Sequence, residues 1–565
     1  MDIQWELRKK VDPQRVKSFS EELQVPEIIA AILLGRGISS YNEAYTFLKP
    51  SIDSLHDPFL MKGMDRAVAR ILDAVKDKEK ILIYGDYDVD GVTSTSILYL
   101  VLTKFGGDVS YFIPERIKEG YGLSIDGIKK ASGNGINLIV SVDCGITNHK
   151  EIEFAKEHNI DVIICDHHEP SDTVPDSYTI LNPKQRDDSY PFKHLAGVGV
   201  TFKLVQALLK EAGFDPEEAF EYIDIVAVGT TADIVPLLGE NRIIVKRGLE
   251  KINSNPTLGL KTLLDAAGML ANEITTWHII YGISPRINAG GRISSAEKGV
   301  QLLITNDINE ALKIAYLLEN ENNKRKTLDE NIQKEALEIV ERTFNPETDY
   351  SIVLAHKDWH LGVIGICASR ISEKFYRPAI MLSIVDGIAK GSGRSIPEFD
   401  LYSALKTCSD DIVEFGGHKL AAGLTIEEKN IEKFSKDFGE IAREKLTGME
   451  LKPKLKIDGY CNLDEINGDL IRLLKNLEPH GFENEKPVFM DNNLKVVGTP
   501  RILKKNHLKF KIKKDFTEFD AIGFGKAGLV DRLDADVSNL NMAFYIDENV
   551  WDGRKYIQLN IKDLK

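Results

Sequence analysis

Acidic residues are concentrated in the segment Gly85–Gly91, which carries Asp86, Asp88 and Asp90 and directly follows the apolar run Lys80–Tyr84. Two carboxylates about 4 Å apart repel each other by ~4 kcal/mol at an effective dielectric constant of about 20, so this clustering is costly unless a cation neutralises it. Hard divalent cations prefer oxygen ligands. The segment therefore predicts a metal site, although a solvated acidic turn that caps the next helix would have the same sequence.

Two further segments place metal-binding side chains after apolar runs. Asp143 follows one such run, and the Asp-His-His triplet of Asp166, His167 and His168 follows the next. Carboxylates and imidazoles gathered at one edge of a sheet can supply the ligands of a two-metal site. A histidine pair alone is more often structural or exposed, so this prediction depends on the three segments occurring together.

A fourth acid, Asp233, follows the apolar run Ile225–Val228 with no charged residue between them. If this segment is buried, the carboxylate of Asp233 needs a partner. A metal ion or an arginine such as Arg242 would serve, and the sequence leaves both possibilities open.

The segments that carry these residues alternate between strand-like and helix-like patterns. This alternation predicts right-handed βαβ units in a parallel, doubly wound sheet, so the fold class is α/β. Ligands of such sheets bind at the carboxyl ends of the strands, where the acids and histidines lie. The predicted strands are 80–84, 109–113, 137–142, 161–165 and 178–181, with helices near 92–105, 125–130 and 149–158.

The whole chain is predicted to contain five parts. A charged segment with apolar residues at helical spacing is interpreted as a helix that connects two α/β domains, or as an ordinary amphipathic surface helix. The parts are an N-terminal helical extension at 1–75, a catalytic α/β domain at 76–305, the connecting helix at 306–345, a second α/β domain at 346–448, and a β-rich domain at 452–565.

Two glycine-rich segments of the second α/β domain are candidates for phosphate binding. Gly416-Gly417-His418 is predicted to be a turn that leads into a helix starting near Leu420, where backbone N–H groups and an imidazole could face an anion. A tight turn with a capping histidine is the alternative. Gly391–Ser395 is predicted to be a flexible loop whose hydroxyls and guanidinium suit phosphate, although such loops are common.

The C-terminal domain contains a strictly alternating segment, Leu508–Lys513, with an apolar face and a face formed by Lys509, Lys511 and Lys513. A basic strand of this kind suits single-stranded nucleic acid, which proteins bind with basic grooves and aromatic rings. A solvated lysine-rich edge strand would have the same pattern. The segment Trp551–Tyr556 is predicted to contain a hairpin turn.

Composition limits the class of protein. The chain has 565 residues, 43% hydrophobic and 28% charged, and a net charge of −15, which is ordinary globular composition. Its longest apolar run, Ile28–Leu34, is far shorter than the ~18 residues that cross a bilayer. The five scattered cysteines indicate neither a disulfide framework nor a zinc site. We expect a cytoplasmic, monomeric protein with no membrane partner. The acidic net charge taken alone disfavours nucleic-acid binding, but in a long chain the binding of nucleic acid depends on local basic patches.

The motifs resemble those of the DHH phosphoesterase superfamily. Its four motifs match Asp88-Val-Asp90, Asp143, the triplet at 166–168 and Asp233, in that order. From about residue 70 onwards, further segments resemble the single-stranded-DNA exonucleases of this superfamily. They are Ile113–Arg116, Glu119–Gly122, Pro285–Ala289 with Arg292, Trp359–Gly365, Ala368–Arg370, Gly391–Ser395 and Gly416–Gly423.

The resemblance implies two α/β lobes, the DHH and DHH-associated domains, joined by a long helix around a catalytic cleft, and a C-terminal oligonucleotide-binding barrel. It implies two divalent cations, Mn²⁺ or Mg²⁺, bridged by Asp143. Many members have a histidine where this chain has Tyr84, so Asp86 is an additional candidate ligand. The implied ligands are Asp86, Asp88, Asp90, Asp143, His167 and Asp233.

The implied activity is hydrolysis of single-stranded DNA from the 5′ end, in repair and recombination. A helicase and a single-strand-binding protein are candidate partners. The alternatives are a phosphodiesterase of dinucleotides or short RNA, and a non-catalytic replication scaffold. Charge on the phosphate would be stabilised by His168, Arg286 and His418, and a terminal phosphate would be bound by Arg116, Ser392 and Arg394. The remaining candidate substrate contacts are Asn288, Arg292, Arg370 and Gly417.

Overall fold

The computed structural model describes residues 3–115, 119–533, 539–551 and 554–565. It contains two compact units, each built from separate stretches of the chain. Within those ranges no helix is long and apolar enough to span a bilayer. The first unit comprises Met1–Asp57, Ile234–Arg247 and Pro453–Lys565, and the second comprises Pro58–Asp233 and Gly248–Lys452.

The first part of the chain forms short N-terminal elements and then an α/β domain. The N-terminal elements are β1 (Gln4–Leu7), α1 (Pro13–Leu23), α2 (Glu27–Gly35) and α3 (Tyr41–Leu48). The α/β elements are α4 (Met64–Lys76), β2 (Lys80–Tyr84), α5 (Val89–Lys104), β3 (Asp108–Phe112), α6 (Ile125–Gly133), β4 (Leu138–Val142), α7 (His149–Glu157), β5 (Asp161–Cys165) and β6 (Thr179–Leu181).

The strands of this domain form a five-stranded parallel sheet in the order β3-β2-β4-β5-β6. Strands β4 and β5 are buried at nearly every position, because helices cover both faces of a parallel sheet. In the register of the sheet Tyr84 lies opposite Ser141, and Val142 lies opposite Cys165. The loops after β2, β4 and β5 therefore leave the sheet side by side at one edge.

Helices follow the sheet and close the lobe. One of them begins with glycine at the edge that the three loops share, and another continues through a π-helical turn at Ile279–Ile283. They are α8 (Gly197–Glu211), α9 (Ile223–Ala232), α10 (Gly239–Ser254), α11 (Leu258–Ala266), α12 (Thr276–His278), α13 (Ser284–Ile293) and α14 (Glu297–Ile304).

A 36-residue helix, α15 (Ile308–Thr343), runs from this lobe to the next. Its apolar buried positions, among them Ala311, Leu318 and Ile332, recur at helical spacing. The middle of the helix also buries Glu321, Asn322, Arg325 and Asp329, which are polar. A purely structural connecting helix would not need buried charges there, so this part of α15 is a candidate for function.

The second lobe is a mixed five-stranded sheet in the order β10-β11-β9-β8-β7, in which only β7 and β8 are parallel. Its apolar core lies between the sheet and helices α17 and α18. The elements are β7 (Ile352–His356), α16 (Leu361–Phe375), β8 (Ala379–Val385), β9 (Ile388–Arg394), α17 (Leu401–Thr407), β10 (Glu414–His418), β11 (Ala421–Glu427) and α18 (Ile431–Leu446).

The C-terminal region is a closed five-stranded barrel, in which β14-β15-β16-β18-β17 are hydrogen-bonded in that order and β17 returns to β14. The predicted fold class, two α/β lobes joined by a long helix and followed by a C-terminal β-barrel, is confirmed. The elements are β12 (Lys454–Ile457), β13 (Gly459–Tyr460), α19 (Gly468–Lys475), β14 (Phe489–Leu503), β15 (His507–Lys514), β16 (Thr517–Gly523), β17 (Leu540–Trp551) and β18 (Arg554–Leu564).

The N-terminal elements share the core of this barrel. Phe19 and Leu33 belong to the same buried cluster as Phe489 and Phe544 of the barrel. Strand β1 pairs with β12 in parallel. Sequence patterns did not reveal this, because nothing in residues 1–57 indicates which distant segment covers their apolar face.

Candidate active site

The loop after β2 is fixed by the start of α5. Asp88 caps that helix, since its Oδ1 accepts the amides of Asp90 at 2.9 Å and Gly91 at 3.1 Å. A Cβ on Gly91 would lie 2.4 Å from the carbonyl oxygen of Asp86, so only glycine allows the loop to close this tightly. Helix capping and metal binding were alternative interpretations of this segment, and one oxygen of Asp88 is engaged in the cap.

Asp90 is almost completely buried and is held by the first turn of α8. Its two oxygens accept the amides of Gly197 and Val198, each at 2.7 Å. The N-terminus of a helix favours a negative charge. Burial and, next, the charge of Asp88 nevertheless raise the pKa of Asp90 to about 7. The carboxylate is therefore oriented by the helix, but its charge is not neutralised by it.

Nε2 of His167 lies at the centre of a group of carboxylates. Oδ1 of Asp143 is 3.3 Å away, Oδ2 of Asp233 is 3.4 Å away, and Oδ2 of Asp90 is 3.9 Å away. Asp143 has a left-handed backbone with φ of 61°, which directs its side chain into the group. Within the described residues, Nε2 of His167 and these oxygens of Asp143 and Asp233 have no hydrogen-bond partner.

Electrostatic repulsion within this group favours a bound cation. Burial, and then the neighbouring carboxylates, hold the pKa values of Asp143 and Asp233 well above their usual range. Burial, and then the charge of His168, lower the pKa of His167 to about 3, so its imidazole is neutral and able to bind a metal. Divalent cations bind carboxylate and imidazole groups together, so the residues present fit a metal centre.

The ligand atoms form overlapping groups, each with all its atoms within 4.8 Å of one another. One group contains Asp86, Asp88 and Asp143, and another contains Asp90, His167 and Asp233. A third joins Asp143 to His167 and His168. Asp143 belongs to two of these groups and touches the other through His167, so it connects all three.

Tyr84 lies away from these groups. It is fully buried in an apolar cluster with Phe112 and Ile128, and its hydroxyl is 3.3 Å from Oγ of Ser124. Burial raises the pKa of its phenol, which stays protonated. Tyr84 is therefore no ligand, and Asp86 is the residue near this position that joins the group of Asp88 and Asp143.

His168 is held by a buried acid beside the candidate metal ligands. Its Nδ1 is 2.7 Å from Oδ1 of Asp166, which is buried. Burial alone would lower the pKa of His168, but the hydrogen bond and charge of Asp166 raise it above the usual value. The hydroxyl of Tyr121 lies 3.0 Å from the same ring nitrogen and donates to the carbonyl oxygen of Asp143 at 3.0 Å. These contacts fix the orientation of the imidazole.

A cleft of about 1250 Å³ lies between the two α/β lobes of the second unit. One wall contains Tyr87, Asn288 and Arg292, and the middle of α15 contributes Arg325 and Asp329. The facing wall of the second lobe contains most of the predicted phosphate contacts, namely Arg370, Ser392, Arg394, Gly417 and His418.

Comparisons with known proteins agree with this architecture. Residues 80–230 match the DHH family, N-terminal domain, residues 348–444 match the DHHA1 domain, and residues 457–563 match the RecJ OB domain. The single-stranded-DNA-specific exonuclease RecJ of Bacillus subtilis (strain 168) is 39% identical over 99% of this chain and 70% of its own length. The chain belongs to the RecJ family.

Solved structures of RecJ family members have the same fold. RecJ of Thermus thermophilus in complex with Mn²⁺ superposes with a TM-score of 0.84 at 29% identity, over 100% of this chain and 79% of that one. The same protein in complex with Mg²⁺ superposes with a TM-score of 0.78 at 28% identity, over 100% and 78% of the two chains.

Two glycine-rich segments of this RecJ family member differ from the predictions. Gly391–Ser395 is not a flexible loop, because residues up to Arg394 form strand β9 in the middle of the sheet. A Cβ on Gly391 would lie 2.4 Å from Leu382, and one on Gly393 would lie 2.9 Å from Leu401. The glycines therefore allow close packing on one face, while Ser392 and Arg394 project from the other face into the cleft.

The segment Gly416–His418 is likewise a strand and not a turn before a helix. It ends β10, which pairs with β11 in a hairpin, so the helix predicted near Leu420 is wrong. Gly417 has φ of 142°, and a Cβ there would lie 2.4 Å from the carbonyl oxygen of Ala421. The two strands of the hairpin approach each other so closely here that only glycine fits, which explains why the segment carries the glycines that were interpreted as a turn.

Not every predicted site residue lies in the cleft. Arg286 is buried, forms an ion pair with Glu319 and donates to the carbonyl oxygen of Gly282 at 2.7 Å. It joins α13 to α15 and is absent from the cleft wall, and its contact with phosphate stays a prediction. Arg116 lies outside the described residues.

Sequence reasoning missed the contribution of the connecting helix. Asp329 is buried and accepts an ion pair from Arg370 at 2.9 Å, and Sγ of Cys367 lies 3.3 Å from its Oδ1. Arg325, one turn earlier, is 3.9 Å from the same carboxylate. The sequence did contain a signal for this contribution, because Arg325 and Asp329 form a polar pair, four residues apart, on an otherwise apolar helix face.

The lysines of the barrel are largely paired with acids. Lys511 lies 2.7 Å from Glu518 and Lys509 lies 3.4 Å from Asp520, both on β16. Lys513 is opposite Glu518 in the register. Strand β15 has neighbours on both sides, so it is not an edge strand. In this RecJ family member the alternating lysines form a mixed-charge surface, and their role in binding DNA remains a prediction.

Proposed function

We propose that the chain is a metal-dependent exonuclease that hydrolyses the phosphodiester bonds of single-stranded DNA from the 5′ end. The observation that carries this proposal is the group of carboxylates around Nε2 of His167. Its members Asp88 and Asp233 directly follow Tyr87 and Ala232, which line the same cleft as Ser392, Arg394 and His418. Close relatives are named single-stranded-DNA-specific exonucleases, and related structures contain Mn²⁺ or Mg²⁺.

We propose two adjoining metal positions. The carboxylates of Asp86 and Asp88 would bind one ion, Asp90, His167 and Asp233 would bind the other, and Asp143 would bind both. When bound there, divalent cations lower the pKa of a water molecule and neutralise charge on the phosphate. The amides of α8 fix Asp90, and neutral His167 presents a lone pair, so the protein positions its ligands before any substrate arrives.

The remaining cleft residues would bind and orient the phosphate. His168, which Asp166 orients, would donate a hydrogen bond to a phosphate oxygen and stabilise the charge that develops there. Gly417 and His418 line the cleft and would contact the same phosphate. Asn288 and Arg292 would contact the next sugar-phosphate unit, and Arg370 is directed by its ion pair with Asp329.

Recognition of the 5′ end is assigned to Ser392 and Arg394. Nη1 of Arg394 donates to Oγ of Ser392 at 2.9 Å, so the guanidinium and the hydroxyl act at one place. A Cβ on Gly365 would lie 3.0 Å from that hydroxyl oxygen, and glycine therefore leaves room beside the pair. A terminal phosphate carries more charge than an internal diester and suits a guanidinium fork.

The cellular setting is also a proposal. An enzyme that acts only on single strands needs a supply of separated DNA, which a helicase and a single-strand-binding protein would provide. We propose a monomeric enzyme of the cytoplasm that works with such partners in DNA repair and recombination.

The decisive experiment is a time course with oligonucleotides labelled at the 5′ or the 3′ end, in Mn²⁺, in Mg²⁺ and in a chelator. A 5′ label should appear at once in mononucleotides, whereas a 3′ label should pass through a ladder of shortening products. A matched duplex and a dinucleotide serve as comparison substrates. Release of the 3′ label first, equal cleavage of duplex, or preference for the dinucleotide would contradict the proposal.

A further inference from the structure

We infer that Tyr121 is a positioning residue of the metal centre: its hydroxyl holds the backbone of Asp143, the proposed shared ligand, and joins it to the ring of His168. Tyr121 would act through these two residues and not as a ligand of its own. The inference rests on the proposed function and deepens it, because it names a residue on which both the affinity for the cations and the placement of the phosphate would depend.

The hydroxyl of Tyr121 lies between these two residues. It donates a hydrogen bond to the carbonyl oxygen of Asp143 at 3.0 Å. The same hydroxyl oxygen lies 3.0 Å from Nδ1 and 3.3 Å from Nε2 of His168, and the two rings meet edge to face with their centroids 5.6 Å apart. One phenol therefore connects the loop after β4 to the loop after β5.

The backbone of Asp143 has a conformation that needs support. Its φ of 61° is left-handed, and residues other than glycine rarely keep this conformation unless their surroundings hold it. The sheet strands supply two of the supporting bonds: the amide of Asp143 donates to the carbonyl oxygen of Cys165 at 2.9 Å, and Oγ of Ser141 donates to the carbonyl oxygen of Cys144 at 3.0 Å. Tyr121 supplies the bond between them, at the carbonyl of Asp143 itself. Loss of a donor to a buried carbonyl oxygen is costly, so the hydroxyl of Tyr121 favours the conformation that directs the carboxylate into the metal centre.

Tyr121 reaches this position from a separate segment of the chain. Strand β3 lies on the far side of β2 from β4, so the segment that follows β3 has to pass the end of β2 to reach the loops after β4 and β5. The side-chain amide of Asn148 anchors the segment there, since it donates to the carbonyl oxygen of Leu123 at 3.2 Å. Gly120 and Gly122 flank the tyrosine with φ of 80° and 82°, a backbone that glycine adopts without strain. Two turns therefore present the side chain of Tyr121 to the strand ends.

The fold does not need the phenol to fill its core. Tyr121 is 47% exposed. Its segment continues into helix α6, which Ser124 caps by accepting the amide of Gly127 at 3.0 Å. Removal of the hydroxyl alone should therefore leave the fold intact and affect the placement of Asp143 and His168.

The first measurement is Mn²⁺ binding to the full-length protein without DNA, by titration calorimetry. Tyr121→Phe should bind at least one Mn²⁺ ion about 10–100-fold more weakly than the parent, as is usual when a residue that orients a metal ligand is removed. Tyr316→Phe is the matched control and should bind as the parent does, since this tyrosine is 53% exposed on α15 and does not line the cleft. Thermal unfolding in a chelator shows whether the three proteins are equally folded.

The second measurement is cleavage of a single-stranded oligonucleotide at Mn²⁺ concentrations that saturate each protein. The kcat of Tyr121→Phe should remain at least about tenfold below that of the parent, because His168 is no longer held and small misplacements of reacting groups have large effects on rate. The KM for the oligonucleotide should change by less than about twofold, as expected when the lost interaction acts mainly in the transition state.

Three results would overturn the inference. They are an unchanged affinity for Mn²⁺, even if the Tm in chelator falls; a kcat that saturating Mn²⁺ restores to the parent's value; and a raised KM with an unchanged kcat, which would make Tyr121 a contact for the strand. If the parent hydrolyses no single-stranded DNA, the proposed function itself fails. The Mn²⁺ titration still tests Tyr121 in that case, because it is carried out without DNA.

Discussion

Gly197 and Asp143 approach each other so closely that a Cβ on the glycine would lie 2.6 Å from Oδ1 of the aspartate. The amide of this glycine also donates to Asp90 at 2.7 Å. A residue that is neither acidic nor a ligand thus determines where two proposed metal ligands lie. A substitution of Gly197 therefore tests the proposed metal centre while every proposed ligand is retained.

Gly197→Ala should reduce metal-dependent cleavage by at least about a hundredfold, because the new methyl group displaces the carboxylate shared by the two ions and small misplacements can have effects of this size. Gly199→Ala is the matched control. It lies in the same turn of α8, and its Cβ would meet only the side chain of Leu195, at 3.2 Å. Initial rates across a Mn²⁺ titration measure the effect, and equal rates for the two variants would contradict it.

Asp143→Asn should abolish cleavage and make the metal-free protein more stable at neutral pH. The folded-state pKa of Asp143 is raised by burial, so the carboxylate destabilises the fold at pH values above its unfolded pKa of ~3.9. Asparagine removes that cost and tolerates the left-handed backbone.

Thermal unfolding in a chelator and in excess Mn²⁺ provides the measurement. The parent should gain stability with metal, as expected when an ion binds only the folded state. The variant should show a higher Tm than the parent in chelator and little response to Mn²⁺. An unchanged response to the ion would show that Asp143 is not shared between metals.

Arg394→Ala should reduce the preference for 5′-phosphorylated over 5′-hydroxyl strands by about tenfold or more, which corresponds to the ~1.5–3 kcal/mol of a hydrogen bond to a charged group. Arg443→Ala is the control, because Arg443 belongs to the same lobe but is absent from the cleft wall. The ratio of kcat/KM for the two substrates is the measurement. If the variant keeps the parent's ratio, the end is recognised elsewhere.

The barrel should bind DNA more through its hairpin turn than through its lysine-rich strand. Lys509 and Lys511 face Asp520 and Glu518, whereas the exposed Lys504 and Lys505 have no acidic partner in the described parts of the chain. Each neutralised phosphate of a single strand contributes about −0.7 to the slope of log Kobs against log salt.

Lys504→Asn with Lys505→Asn should therefore make this slope shallower by about 1.4 if each lysine binds one phosphate. Asparagine suits the positive φ of both positions. Lys509→Gln with Lys511→Gln should change it little. If the substitutions at Lys509 and Lys511 changed the slope more than those at Lys504 and Lys505, the lysine-rich strand would be the DNA-binding surface.

The grouping of the candidate metal ligands could be predicted from the sequence because one physical rule positions them. Asp86, Asp143 and His167 each follow an apolar run, and parallel strands bring their carboxyl ends to one edge of a sheet. Repulsion between the clustered carboxylates then indicates that a cation binds among them. The position of Tyr84, away from the candidate ligands, could not be predicted, since its burial depends on packing against Phe112 and Ile128 from other segments.

Glycines were the main source of error. Gly391 was interpreted as part of a flexible loop and Gly417 as part of a turn, because glycine tolerates many backbone conformations. In the structure they allow close contact, with Leu382 in one case and with Ala421 in the other. The ion pair of Arg286 was missed for a related reason, because its partner Glu319 is distant in sequence. Close approach and remote pairing are properties of the folded chain that local patterns do not contain.

The first unit assembles from segments at both ends of the chain, and this affects the synthesis of the protein. Helix α2 contains the longest apolar run of the sequence, and its residues Ile29 and Leu33 are buried among barrel residues that follow roughly 460 or more positions later. At about 5–20 residues per second, a ribosome needs roughly 23–92 s to make the intervening chain. During that interval α2 lacks the barrel residues that bury it in the folded protein, so the N-terminal residues are a segment of the nascent chain on which a chaperone would act.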